Sequence, residues 1–352
     1  MPSSSALIVV DGSHGEGGGA LLRTALAMSA LTQQPVKIVS VRGGTSYAGL
    51  DVEDIAVIDA LTRICGAETV GVEIGSNTIS FLPTTLPRGL SGQIVADRQG
   101  GPRGPNSCVV LNAILPVLAR SGVYSTVAAE GETFGSNALS YDYFANVTVP
   151  TLRRAGLYAF PELVQAGFGR ESRGQVVLDV EPSSLNGIVW NDRGRCQGVH
   201  GIVSTASLPS SVGERAVAHL RRLAQNMGMP IEAEHVEVAS RGAGVYVTVW
   251  ATYDRGAGGG ATIGARGLRV EALATLAFEE LASWMTSNST VDPFLADQLL
   301  IPLALAPEES SFSVSRLTSR FLTCAWVIKQ FTPIHITIRG AENGPGTVTI
   351  RR

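Results

Sequence analysis

The chain is 352 residues long, 45% hydrophobic and 16% charged, with 40 glycines and a formal net charge of −3. That length provides for two or more domains, or one domain carrying an insertion, around a large core. The slightly acidic balance excludes broad coating of nucleic acid, which needs a strong basic excess, but leaves room for a specific pocket that takes one phosphate end.

The four cysteines, Cys65, Cys108, Cys196 and Cys324, stand far apart without a C-x-x-C pair, so they read as structural thiols in a reducing compartment. No apolar run approaches the ~20 residues of a membrane helix. The opening MPSSSALIVVDG lacks the basic and long apolar regions of a leader, and a cytoplasmic protein is expected.

In chain order, Ala6 to Val10 is an apolar run bounded by Asp11 and Gly12 and predicts a buried strand. The loop GSHGEGGG follows, with five glycines before the helical run ALLRTALAMSALT. Glycine at that density allows close backbone approach. The loop reads either as a phosphate cradle or as a tight turn against a neighbouring repeat, and it lacks the Lys-Ser/Thr ending of a Walker loop.

Strand VKIVSVR, helix VEDIAVIDALTRICG and strands VGVEI and TISFLP come next, the last two split by a turn at Gly75-Ser76-Asn77. The order recurs with a helix at Asn106 to Arg120, a strand at Tyr124 to Ala129, a helix at Tyr141 to Ala155 and a strand at Gly174 to Val180. A third copy has helices at Val270 to Met285, at Phe294 to Ala304 and from Ser319, then the strand HITIRG. Self-similarity at roughly 80 to 100 residues predicts an α/β (α+β) fold of three βαβαββ-type units around a shared axis.

Residues 184–261 break the period. VHGIVST, the helical run LPSSVGERAVAHLRRLAQNMG, EHVEV, GVYVTVWATY and GATIGA make a β-α-β-β pattern of their own, so a small α/β domain is expected there. That leaves 1–183 and 262–352 as the repeat domain, with both junctions in glycine or polar stretches.

Near the C-terminal end, Leu295, Leu299, Pro302, Leu303 and Leu305 form an apolar stripe that leaves Asp297 and Gln298 as a polar pair near the helix start. The next helix opens at Ser319 and Arg320, where free N–H groups and the helix dipole suit an anion. Two polar helix starts close in sequence predict a site.

These stretches resemble the RNA 3′-terminal phosphate cyclase family over nearly the whole chain. The matches are DGSHGEGGGALLR at Asp11 to Arg23, GVEIGS at Gly71 to Ser76, LPVLA at Leu115 to Ala119, IGARG at Ile263 to Gly267 and LADQL at Leu295 to Leu299. The resemblance implies three repeats of the kind found in the C-terminal domain of translation initiation factor three, with a small domain inserted before the last. It also implies ATP with Mg²⁺ as cofactor and transfer of AMP to a histidine. From there AMP passes to an RNA 3′-phosphate, which closes to a 2′,3′-cyclic phosphate.

By the same resemblance, Glu16, Arg23, Arg42 and the nucleotide stretch Phe294, Leu295, Ala296, Asp297 and Gln298 are kept. Arginine suits phosphate because its planar fork donates paired hydrogen bonds and stays charged. The nucleophilic histidine falls on Arg320, whose guanidinium has no available lone pair for attack on phosphorus. Thr45 stands for an arginine, Ala48 for a proline, Glu53-Asp54 for a Gln-His pair, Asn112 for a glutamine, and GRESRG at Gly169 to Gly174 for a glycine-rich turn. The two carboxylates are expected to repel a polyphosphate. Of the five histidines, His14 beside Glu16 is the candidate for a displaced nucleophile.

The expectation is a family member that binds a nucleotide or an RNA terminal phosphate without the adenylyl-histidine route. The alternatives are ATP-dependent adenylyl or phosphoryl transfer of altered chemistry to an RNA 3′-phosphate or a small-molecule acid, and an enolpyruvyl-transferase-like enzyme built from related repeats.

Overall fold

The computed structural model describes residues 6–94, 104–135, 138–169 and 173–352. In the first unit the apolar run forms β1 (Ile8–Asp11), the glycine loop leads into α1 (Gly19–Thr32), and β2 (Val36–Val39), α2 (Val52–Cys65), β3 (Glu68–Val70) and β4 (Ile79–Leu82) complete a βαβαββ unit. The sheet order is β1-β2-β4-β3, with β1 parallel to β2 and the other pairs antiparallel. Helix α2 starts at a reciprocal cap, in which the Asp51 side chain accepts from the Asp54 N–H and the Asp54 side chain accepts from the Asp51 N–H. The strand expected at Val70 to Ile74 lies instead at Glu68–Val70, and the chain turns away after Val70.

The second unit repeats this order with β5 (Ser91–Ile94), α3 (Ser107–Ala119), β6 (Ser125–Gly131), α4 (Tyr141–Tyr143), α5 (Val149–Arg154), β7 (Ala159–Gln165) and β8 (Gly174–Val180). Its sheet order, β5-β6-β8-β7, is that of the first unit. The single helix expected over Tyr141 to Ala155 is broken by a π-helical turn at Phe144–Thr148. Pro150 follows at once and has no N–H to return to the preceding turn. Strand β7 carries Pro161 and lies at the sheet edge, where a missing donor is tolerated.

The inserted segment is β9 (Cys196–Ala206), α6 (Ser210–Asn226), β10 (Glu232–Glu237), β11 (Gly244–Tyr253), β12 (Gly256–Ile263) and α7 (Val270–Thr286), with sheet order β10-β9-β11-β12. Its core is separate and joins Val203, Leu220 and Val247 to Leu273, Phe278 and Trp284 of α7. Helix α7, expected in the third repeat, therefore packs with the insertion. A Cβ at Gly258 of β12 would stand 2.6 Å from the Trp284 ring, so the glycine run lets α7 lie directly on that strand.

The third unit is α8 (Pro293–Leu305), β13 (Ser310–Val314), α9 (Ser319–Phe331), β14 (His335–Gly340) and β15 (Gly346–Arg351), in the order β13-β15-β14. Where the other units have their first strand, a parallel bridge joins Val189 to Ser311 of β13. The Trp190 N–H donates to the Ser311 carbonyl, and the Ser311 N–H donates to that of Ile188. The stretch from β9 to α7 thus follows this first extended stretch and precedes α8.

Helix α1 touches α2, α3 and α9, and α8 touches α3 and α9, so helices of all three units meet in one core. Among the described residues, no helix is long and apolar enough to cross a membrane.

Candidate functional site

The ends of α1, α2, α3, α8 and α9 converge on a cleft of about 780 Å³. Glu16, Arg23, Arg42, Asn112, Phe294, Asp297, Gln298 and Arg320 all line it. Leu295 and Ala296 do not; both are fully buried in the core under α8, as their place on its apolar side requires. His14 does not line the cleft either. It is exposed and its ring stacks on Trp326 of α9, with centroids 3.8 Å apart. The glycine loop turns through Gly15 at φ +60°, and the next N–H, of Glu16, donates to Thr323 Oγ1 at 2.9 Å. A Cβ at Gly15 would stand 2.2 Å from that same oxygen. The loop is thus a close contact between first and third units that sends Glu16 to the cleft side and His14 to the other.

Helix α1 opens at Gly18 without a side-chain cap, and Gly18, Gly19 and Ala20 line the cleft. Its first turn is thus uncapped at the cleft edge, with the Arg23 and Arg42 guanidiniums lying against Gly19. The start of α9 is different, since Thr318 caps it by accepting from the Phe321 N–H at 3.1 Å. That backbone is less available to an anion than the sequence predicted.

Arg23 and Arg42 reach the cleft already paired. Arg42 Nε donates to Asp54 Oδ2 at 2.8 Å and Nη2 to Oδ1 at 3.1 Å, while Nη2 lies 2.6 Å from Asp51 Oδ2. Arg23 Nη1 donates to Glu53 Oε1 at 2.8 Å and lies 3.9 Å from Asp54 Oδ1. Glu53 and Asp54, expected to repel a polyphosphate, are paired with Arg23 and Arg42. Asp51, which the sequence reading passed over, shares in this; its D-x-x-D spacing ahead of an apolar run was the signal for it.

Burial works against the Arg42 charge, but its bonds to Asp54 and the charges of Asp51 and Glu53 hold it protonated well above the usual range. Burial, helped by Asp51 and opposed by Arg42, lifts Asp54 to about 6.

Arg320 is held more loosely. Its Nε stands 3.5 Å from Glu16 Oε1 and 3.8 Å from Asp297 Oδ2. Glu16 Oε2 and Asp297 Oδ1 are buried without a hydrogen-bond partner. Burial lifts Asp297 to about 7, with Glu16 and Asp292 adding to the rise and Arg320 opposing it. Gln298 is committed locally, accepting from Thr148 Oγ1 at 2.8 Å and donating to the Phe294 carbonyl at 2.8 Å. Cys324 also lines the cleft, but burial pushes its thiol up to about 12, so it is no thiolate nucleophile. Thr45, Ala48 and Glu53 line the cleft with Asn112, whereas the centre of GRESRG lies outside the described residues.

Three buried carboxyl groups, Asp54, Asp142 and Asp297, have folded pKa values of about 6, 7 and 7, burial being the first cause in each. Raised acids contribute stability that is fully present below the unfolded pKa and is lost as pH rises through the folded values. Among the described residues, His219, lowered by burial and Arg222, acts in the opposite sense near neutrality. Thermal unfolding is expected to show a higher midpoint at about pH 5.5 than at about pH 8. A midpoint that climbs toward the alkaline end contradicts the assignment.

Comparison with known proteins sets this cleft in context. Residues 14–338 match the family described as RNA 3′-terminal phosphate cyclase. The chain belongs to that family. The cyclase named for Methylococcus capsulatus is 36% identical over 98% of this chain and 96% of its own. The RNA 3′-terminal phosphate cyclases of Nostoc punctiforme and Pyrococcus furiosus are 30% and 31% identical, covering 96% and 98% of this chain and 97% and 99% of theirs. In this member of the cyclase family, the cleft is the place where residues from the first and last units meet.

Proposed function

We propose that this chain binds a nucleotide or an RNA terminal phosphate in the cleft and forms no adenylyl-histidine there. The observation that carries the reading is Arg320, set in the cleft between Glu16 and Asp297 at the position the resemblance gives to the nucleophile. Burial opposes its charge, yet Asp297 and Glu16 keep it protonated above the usual arginine range. A protonated guanidinium has no lone pair to attack phosphorus, but its fork can hold a phosphate. Among the described residues lining the cleft there is no histidine to take its place.

The residues present fit a phosphate ligand, with donors at the uncapped start of α1 and on the guanidinium of Arg320. Among the described residues no group of three or more His, Cys, Asp or Glu side chains could hold a metal ion, so Mg²⁺ accompanying ATP would be held chiefly by the phosphates. ATP, when bound, would supply an activated phosphorus. The chain's own part is to orient the phosphate with Arg320 and to exclude water with the apolar wall of Val109, Phe294 and Ile301. The glycine loop, which favours a reading as an active enzyme of altered chemistry, is accounted for at Gly15 by its contact with Thr323.

Incubation with α-labelled ATP and Mg²⁺, with and without an RNA 3′-phosphate, is expected to leave no label on the denatured protein while equilibrium dialysis detects bound nucleotide. Labelled protein on a denaturing gel overturns the reading.

A further inference from the structure

The first turn of α2 sets three carboxylates, Asp51, Glu53 and Asp54, against the two arginines that enter the cleft from α1 and from the end of β2. Every one of these contacts is at hydrogen-bond or ion-pair distance, from 2.6 to 3.9 Å. The arrangement is built rather than incidental. Asp54 is fully buried and ties Arg42 to the capping box of α2, while Glu53 Oε2 also accepts from the Asn106 N–H at the start of α3 at 3.1 Å. Arg320 has no carboxylate oxygen closer than 3.5 Å. Among the described lining residues, five carboxyl side chains face three guanidiniums.

We infer that the first turn of α2 is an internal anionic competitor that sets the ligand class: Glu53 and Asp54 occupy Arg23 and Arg42, so the cleft selects a ligand with a single phosphate, seated at Arg320, over a polyphosphate. The inference rests on the phosphate-binding reading and sharpens it. A polyphosphate that enlists Arg23 or Arg42 has to break these bonds and leave carboxylates facing its own charge. Displacing a paired, partly buried carboxylate is costly, because it is left without a counter-charge. A single phosphate held at Arg320 disturbs none of them, whereas one seated deeper at the start of α1 would meet the Arg23 and Arg42 guanidiniums, which lie against Gly19.

Equilibrium binding of AMP and ATP to the full chain, at neutral pH and low salt, tests this. The unmodified protein is expected to bind AMP at least as tightly as ATP. Glu53→Gln, which can still accept from Asn106, and the double variant Glu53→Gln/Asp54→Asn are expected to raise the ratio of ATP to AMP affinity roughly tenfold or more, as removal of like charge beside a phosphate site does. Adding Arg23→Gln to Glu53→Gln should cancel that gain, and thermal melts confirm that each variant is folded. AMP binding with a ratio unmoved by Glu53→Gln, or an unmodified protein preferring ATP tenfold, overturns the competitor while leaving the phosphate-binding reading intact. Failure of every form to bind either nucleotide removes that reading and the competitor with it.

Discussion

Arg42→Ala is expected to destabilise the fold by about 3–5 kcal/mol at pH 8, the usual cost of stripping the partner from a buried ion pair, and by distinctly less at pH 5. The Asp54 carboxylate is fully buried; Arg42 donates to each of its oxygens, and the Asp51 N–H of the helix cap supplies a third hydrogen bond, to Oδ2. The remaining cation, Arg23 Nη1, is 3.9 Å away and engaged with Glu53. With Arg42 gone the carboxylate has a buried charge and a like charge, Asp51, beside it.

Acid relieves that state, because Asp54 takes up a proton near 6 even with the arginine present and at higher pH without it. The further the folded pKa rises above the unfolded one, the wider the pH range between them over which stability is lost, and the larger the total loss at pH 8. Urea unfolding of both proteins at the two pH values measures the effect. An equal loss at pH 5 and pH 8 would show that Arg42 acts through packing and not through charge.

Asp292→Ala is expected to cost a similar amount, about 3–5 kcal/mol, since it strands several buried donors at once. Asp292 Oδ1 accepts from the Phe294 and Leu295 N–H groups at 2.6 and 2.8 Å, which caps α8. Its Oδ2 accepts from the Gly259 N–H at 2.8 Å and from the Tyr143 hydroxyl. One carboxylate therefore joins the third unit to β12 of the insertion and to α4 of the second unit. Burial raises its pKa, and these donors pull against that rise. Tyr143→Phe removes one of the four donors and is expected to cost only about 1–2 kcal/mol. Denaturant unfolding of the two variants distinguishes the outcomes: an Asp292→Ala loss no larger than that of Tyr143→Phe would mean that water replaces the carboxylate.

The repeat order was legible because the helices of α1, α2, α3, α8 and α9 are long apolar runs whose ends carry their own signals, such as the Asp51–Asp54 cap. The placement of α7 was not. Its apolar face would serve either core, and the deciding feature is a glycine run on β12 that makes sense only once a helix lies across it. The site was legible as a set of residues but not as a network. Glu53 and Asp54 read as repulsive near phosphate, and only the folded chain shows that they face Arg23 and Arg42 from the neighbouring helix start. His14 misled for a related reason. It stands two residues from Glu16, but a tight turn with Gly15 in the left-handed region points the two side chains to opposite sides. Sequence proximity carries no direction through such a turn.

The bond from the Glu16 N–H to Thr323 joins residues separated by 307 positions. On a ribosome the glycine loop emerges well ahead of α9 and waits for it. Contacts of such long sequence separation form late, and N-terminal units fold first during synthesis. The first unit can assemble its sheet early, but the cleft stays unfinished until α9 arrives, so a nascent chain lacks one wall of it for most of its synthesis.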